Sequence, residues 1–225
     1  MSADLKQKTL GIIHASVLTT RAMQPFIDQF IPEVNIMHVV DDTIQRDNIR
    51  AGVGVIPKVN YYKFAQYAHN LEEAGVDLIL LACSTFNFAA ELARPMINTP
   101  IMQIDRTMME TAVGHSKRIG LLATLNTTVP SSERLLRIVA SEQGKDIEIK
   151  TVLCSEAFVA ISRGDAKTHN DMLLEQIEIL SKEVDSIVMA QLSMSALAPF
   201  LKDTRVPVYN SGSTTFPKIR ETLAR

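Results

Sequence analysis

A chain of 225 residues, 46% hydrophobic and 21% charged, is long enough for one sizeable domain or two small ones and has the composition of a protein with a real core. Its 23 basic and 25 acidic residues leave a formal charge of −2, so there is no general electrostatic case for nucleic acid or an anionic membrane as a partner. Cys83 and Cys154, the only cysteines, make no disulfide framework and fit a reducing cytoplasm; with five scattered histidines they show no zinc-ligand spacing, and no metal is expected.

The short polar stretch Met1–Lys8 reads as a lead into a strand rather than a signal peptide, and no apolar run approaches the roughly 20 residues that span a bilayer. Lys8–Ala15 is a buried strand, Ser16–Thr20 a loop, and residues 21–30 a helix interrupted by Pro25. Val34–Val40 is a second strand, ending in Asp41 and Asp42. Residues 43–57 carry Gly52, Gly54 and Pro57 and read as a long functional loop. Tyr61–Gly75 is an amphipathic helix with Phe64, Ala68 and Leu71 on one stripe. Val76–Ala82 is an apolar run with one early Asp, the pattern of a strand buried on both faces of a parallel sheet. Cys83, Ser84 and Thr85 follow at its carboxyl end, then a helix that closes at Pro95, then a short strand at 101–105.

The pattern then recurs. Lys117–Thr124 matches Lys8–Ala15 at a spacing of 109 residues, Val184–Ala190 matches Val76–Ala82 at 108, Ile149–Leu153 follows Ile36–Val40 at 113, and Val206–Tyr209 answers Thr99–Met102. Near-constant spacing over four strands implies an α/β chain of two pseudo-symmetric, flavodoxin-like halves, each a small parallel sheet covered by helices. The halves are expected at 1–105 plus 206–225 and at 106–205, with 216–225 a helix returning to the first half. The active site is expected in the cleft between their carboxyl strand ends.

The spacing pairs residues across that cleft: Cys83 with Gln191, Thr85 with Ser193, Asp41 with Cys154, and Arg50 with Arg163. A thiol, the hydroxyls of Ser16, Thr19, Ser84, Thr85, Thr124, Thr127, Ser193 and Ser211, the Gln191 amide and the two arginines form a set suited to a small carboxylate. Arg50 and Arg163 are candidates for bidentate anchoring, with a solvated surface role as the plain alternative. His14 at the first strand end is either an acid–base group or a structural histidine; Asp41 and Asp42 either close the following segment or meet a substrate amino group. No Walker-type or Gly-rich dinucleotide loop is present.

Ala82–Thr85 at a strand end, Ala123–Thr127 after the fifth strand and the duplicated halves together resemble the aspartate/glutamate/hydantoin racemase superfamily over essentially the whole chain. That resemblance implies cofactor-independent chemistry in which two cysteines flank the substrate Cα, one removing a proton and the other returning one. It makes Cys83 the acid–base thiol, and Thr124, Thr127, Thr85 and Ser16 substrate-binding groups. It also implies a cytoplasmic enzyme, a small carboxylate substrate and a homodimer. The chain departs from the pattern at Gln191, which stands where the second cysteine belongs and cannot exchange a proton at neutral pH. Racemisation or isomerisation is the leading expectation. A single-thiol decarboxylase of a malonate-type acid and a non-catalytic binder of small acids are the rivals, with Cys154 the other candidate for a second acid.

Overall fold

The computed structural model describes residues 4–225, so the reading of Met1–Lys8 lies partly outside the described residues. The first sheet is formed by β1 (Thr9–His14), β2 (Asn35–Val40), β3 (Leu78–Leu81) and β4 (Ile101–Gln103), the second by β5 (Arg118–Ala123), β6 (Glu148–Leu153), β7 (Ser186–Met189) and β8 (Val208–Asn210). Every pairing is parallel, with strand orders β2-β1-β3-β4 and β6-β5-β7-β8. The two registers are the same: Leu10 faces Leu78 as Ile119 faces Ser186, and Thr9 faces Asn35 as Arg118 faces Glu148. The repeat spacings are therefore the spacings of equivalent strand positions, and the chain is an α/β fold of two halves.

Helices α1 (Leu18–Phe30), α2 (Asp42–Ala51), α3 (Lys58–Glu73) and α4 (Phe88–Ala93) belong to the first repeat. The second contains α6 (Val129–Glu142), α7 (Ser155–Ser162) and α8 (Ala166–Leu180). The last helix of each repeat, α5 (Arg106–His115) and α9 (Ser211–Leu223), crosses over. Phe216, Ile219 and Leu223 of α9 enter the core of the first sheet with Leu10, Ile12, Met23 and Leu80. Met108, Met109, Ala112 and Val113 of α5 enter the core of the second with Ile119, Leu121 and Val188. Burying each crossover helix on the opposite sheet ties the halves together through apolar contact. The return to the first half begins later than the expected residue 206, because Val208–Asn210 pairs with β7 in the second sheet.

Two further details repeat. Asp77 and Asp185 each precede a central strand and accept the backbone N–H of Thr9 and Arg118, both at 2.8 Å. Gly11 and Gly120 each lie under a leucine of the helix above: a Cβ at Gly11 would sit 2.9 Å from Leu71 Cδ1, and one at Gly120 2.6 Å from Leu180 Cδ2. Leu180 is 1% exposed and has no room to retreat. Gly120→Ala is expected to lower stability by about 1–3 kcal/mol through overpacking, read as a fall in the urea midpoint at unchanged slope. An unaltered midpoint would mean that α8 is free to shift.

Residues 43–57 are not a long loop. α2 occupies most of them, capped by the Asp41 side chain, which accepts Thr43 N–H at 2.9 Å, and ended by Gly52 at φ +94. The buried face of α2 is part apolar and part polar: Ile44 enters the core, and beside it Asn60 Nδ2 donates to Asn48 Oδ1 at 2.8 Å and to Ile44 O at 3.2 Å. Likewise α1 starts at Leu18, and Pro25 lies within it without ending it. Among the described residues no helix is long and apolar enough to cross a membrane, and no cluster of three His, Cys, Asp or Glu side chains is arranged for a metal.

Candidate active site

A cavity of about 320 Å³ lies between the carboxyl ends of the two sheets. The two halves contribute equivalent pieces to it. Cys83 and Gln191 end β3 and β7 in the same extended conformation (φ −150, ψ 112 and φ −142, ψ 137), and each leads into a 3-10 turn. Ser16, Leu18 and Thr19 line the cavity opposite Leu125, Thr127 and Thr128, their partners at the 109-residue spacing. Gln45, Asn48 and Ile49 on α2 are matched by Phe158, Ile161 and Ser162 on α7 at the 113-residue spacing.

Of the residues singled out in the sequence, Ser16, Thr19, Cys83, Ser84, Thr85, Thr127, Gln191 and Ser193 are brought together in the wall. Arg50 and Arg163 are not: both are exposed at the C-terminal ends of α2 and α7 and neither lines the cavity. Thr124 stands behind the wall and holds Gln191. Its N–H donates to Gln191 Oε1 at 2.7 Å, and its Oγ1 accepts from Gln191 Nε2 at 2.9 Å. The amide at the second-cysteine position is thus held in place by its neighbour through Oε1 and one of its two Nε2 protons. Ser211 is buried outside the cavity and donates to Asp105 Oδ1 at 2.6 Å. Cys154 stands at the residue before α7 without a side-chain capping bond, packs in the apolar core of the second half and does not line the cavity. Asp41 accepts from Tyr67 Oη at 2.7 Å and Asp42 from Val17 N–H at 2.7 Å, both structural contacts.

A model of the Asp/Glu/hydantoin racemase family matches residues 14–217. The chain belongs to the Asp/Glu/hydantoin racemase family. It is 30% identical over 155 residues to a hydantoin racemase from Rhizobium meliloti, a match covering 68% of this chain and 62% of that protein. The chain therefore spans about three fifths of the length of that relative. A glutamate racemase from Trichodesmium erythraeum is 21% identical over 206 residues, covering 90% of this chain and 73% of that one. Among solved structures, an aspartate racemase homologue from Pyrococcus horikoshii OT3 superimposes with a TM-score of 0.74 at 17% identity over 97% of this chain and all of that one. Allantoin racemase from Klebsiella pneumoniae gives 0.67 at 19% identity, covering 96% and 87%. At these identities the structures establish a shared fold.

Within this racemase-family fold the thiol sits in an environment that keeps it protonated. Burial, and then the nearby Asp105 carboxylate, push Cys83 up to about 12, while the backbone amides of Phe86 and Thr85 act in the opposite direction. Asp105, at the end of β4, has no exposure and is itself raised by burial. Ser211, Ser84 and Asn87 donate to it, the last at 3.2 Å, which favours its charged form. Thr85 Oγ1 and Thr128 Oγ1 share a 2.9 Å hydrogen bond that joins the halves beside Cys83.

The sequence reading missed Asp105 and the α2 and α7 walls. The 113-residue spacing that paired Asp41 with Cys154 runs through both helices and carries the signal for the walls; nothing in the sequence marks Asp105.

His14 does not line the cavity. Its Nδ1 lies 2.7 Å from Thr19 Oγ1 and its Nε2 2.9 Å from His38 Nδ1. Thr19 Oγ1 donates to Ser16 O at 2.7 Å, so His14 donates from Nδ1 to Thr19 and accepts from His38 at Nε2. Both imidazoles are neutral in this arrangement. Burial, and then His38, lower His14 from its usual 6.5 to about 4. Between these values the unfolded chain binds the proton that the folded chain refuses, so stability falls as pH drops from 6.5 toward 4, by up to about 3 kcal/mol. Urea unfolding at pH 7.5 and 4.5 is expected to show this loss, reduced in His14→Asn; an equal loss in that variant would place its origin elsewhere.

Proposed function

We propose that this protein is a racemase that moves the proton at a carbon next to a carbonyl or carboxylate group, with Cys83 as the group that takes and returns it and without a cofactor in the step. The observation that carries this reading is that, among the described residues, Cys83 is the one acid or base side chain lining the cavity between the halves. The step is balanced within the site. The minor thiolate form of Cys83, its own proton released to solvent, takes the Cα proton; the C–H electron pair becomes the enolate C=C as the carbonyl π pair moves onto oxygen; and the thiol then returns the proton to carbon. A positioned base contributes a factor of about 10² to 10⁴, and a donor aimed at the developing enolate oxygen about 3 to 4 kcal/mol. Ser16, Thr85, Thr127 and Ser193 are the hydroxyls available for that task, and the amides of Thr85 and Phe86 are placed to hold the thiolate.

Gln191, tied to Thr124, supplies no acid on the far face. Inversion then depends on the ligand turning over in the cleft or on solvent reaching the far face, and Cα exchange outpaces inversion. Incubating an amino-acid and hydantoin panel in D₂O tests this: NMR is expected to show deuterium entering at Cα faster than chiral chromatography shows inversion. Inversion as fast as exchange would point to a second acid. Carbon dioxide release from a malonate-type acid with no Cα exchange on the panel would overturn the reading in favour of a lyase.

A further inference from the structure

Gln191 stands where the repeat places a counterpart of Cys83, and that difference between the halves comes with a second one. Thr124 answers Ala15 at the 109-residue spacing, so a hydroxyl is present behind the glutamine and absent behind the cysteine. The two residues of the second half fit each other. A backbone N–H can only donate, so the Gln191 atom that meets Thr124 N–H is Oε1, and the orientation of the amide follows. Nε2 then donates one proton to Thr124 Oγ1. An amide nitrogen carries two protons, and among the described residues no acceptor takes the other. Gln191 is half-buried, lines the cavity and ends its strand in the backbone conformation of Cys83, so the two side chains enter the cleft from equivalent strand ends.

The rest of the wall gives that proton a task. Among the described residues no Lys, Arg or His lines the cavity. When a Cα proton leaves, negative charge develops on the adjoining carbonyl oxygen, and N–H and O–H dipoles are what the wall offers it. Several hydroxyls are already committed: Thr19 donates to Ser16 O, and Thr85 and Thr128 share one bond. A hydroxyl proton also has to turn toward the oxygen, whereas the Gln191 amide is held by its neighbour before the reaction begins.

We propose that Gln191 donates its second Nε2 proton as a hydrogen bond to the enolate oxygen that forms when Cys83 deprotonates the substrate, with Thr124 as the residue that positions it. This rests on the reading of Cys83 as the proton-transfer group. The half that carries the thiol moves the proton, and the half without it stabilises the charge. The N–H bond of Gln191 stays intact throughout, so the only proton that changes place is the one exchanged between sulfur and carbon.

Gln191→Met keeps the length of the side chain and removes the donor. With the substrate of the D₂O panel that exchanges fastest, it is expected to lower kcat for Cα exchange by about 10²-fold or more with KM within a few-fold, because the donor acts on charge present in the transition state. Gln191→Glu keeps an acceptor for Thr124 N–H, loses the donor and is expected to fall at least as far. Thr124→Val releases the amide and is expected to lower kcat about tenfold, with Thr124→Ser restoring it. Undiminished kcat in both Gln191 variants at an unchanged urea midpoint would overturn the role of Gln191.

A second readout is independent of Cys83. In Cys83→Ala with ¹⁵N-labelled glutamine, the side-chain amide signal of Gln191, identified by its absence in Gln191→Met, is followed by NMR during titration with the same panel. A panel member that binds by calorimetry is expected to shift one of the two Nε2 protons downfield and to leave the other, held by Thr124, nearly in place. That shift, with no Cα exchange in the unmodified protein, would retain the Gln191 contact and overturn the role of Cys83. Binding without the shift, or no binding of any panel member, would overturn the proposal for Gln191.

Discussion

Replacing Cys83 by alanine is expected to reduce Cα deuterium exchange by at least about 10³-fold while leaving ligand binding within a few-fold of the unmodified protein. The size of the effect follows from the wall. Among the described residues Cys83 is the one acid or base side chain that lines the cavity; the hydroxyls and amides around it do not exchange a proton as acids or bases near neutrality. Removing the sulfur leaves hydrogen-bond donors and apolar surface, which hold a ligand, and no group that exchanges a proton. NMR of the Cα signal in D₂O gives the rate, and calorimetry gives the affinity. Undiminished exchange in this variant would rule out the role assigned to Cys83, and loss of binding as well as exchange would make the sulfur a contact rather than a base.

The second large effect concerns Asp105. Its carboxylate, which accepts from Ser84, disfavours the thiolate, one of the two influences that raise Cys83. Asp105→Asn removes that charge and retains a carboxamide that can accept from Ser211. The thiol is then expected to ionise at lower pH, raising the rate of alkylation by iodoacetamide at pH 8.5 by about tenfold. The sign is the test: a negative charge beside a thiol holds the proton on, so neutralising it releases the proton. A slower or unchanged reaction in the folded variant would mean that burial alone sets the acidity of Cys83. The same variant separates chemistry from support, since a merely structural Asp105 would lower stability without moving the pH dependence of alkylation.

The fold was legible because a duplicated chain writes its topology twice. The spacings of 109 and 108 residues that aligned Lys8–Ala15 with Lys117–Thr124 and Val76–Ala82 with Val184–Ala190 are those that relate Leu10–Leu78 to Ile119–Ser186 in the sheets. Cys83 was legible for the same reason: the end of a buried parallel strand is readable from its apolar run, and ligand sites of such sheets lie just beyond it.

What failed to read was whatever depends on side chains meeting across the sequence. α2 hid because only Ile44 of its buried face is apolar and the rest is held by the Asn48–Asn60 pair, which leaves a single apolar residue and no stripe. Arg50 and Arg163 are equivalent by spacing, yet both are exposed at the C-terminal ends of their helices and neither lines the cavity, which strand alignment does not determine. Asp105 gave no signal because its partners, Ser84 and Asn87 on one segment and Ser211 on another, are distant from it in sequence.

The central claim is that one sulfur at the cleft suffices, and the measurement that reaches it most directly is Cα exchange by Cys154→Ser, which leaves Cys83 as the only thiol in the chain. Cys154 lies in the core of the second half, away from the cavity wall, so exchange at the full rate of the unmodified protein is predicted. Loss of exchange in a variant that still folds and still binds ligand would contradict the account, because it would make the second sulfur a partner in the proton transfer.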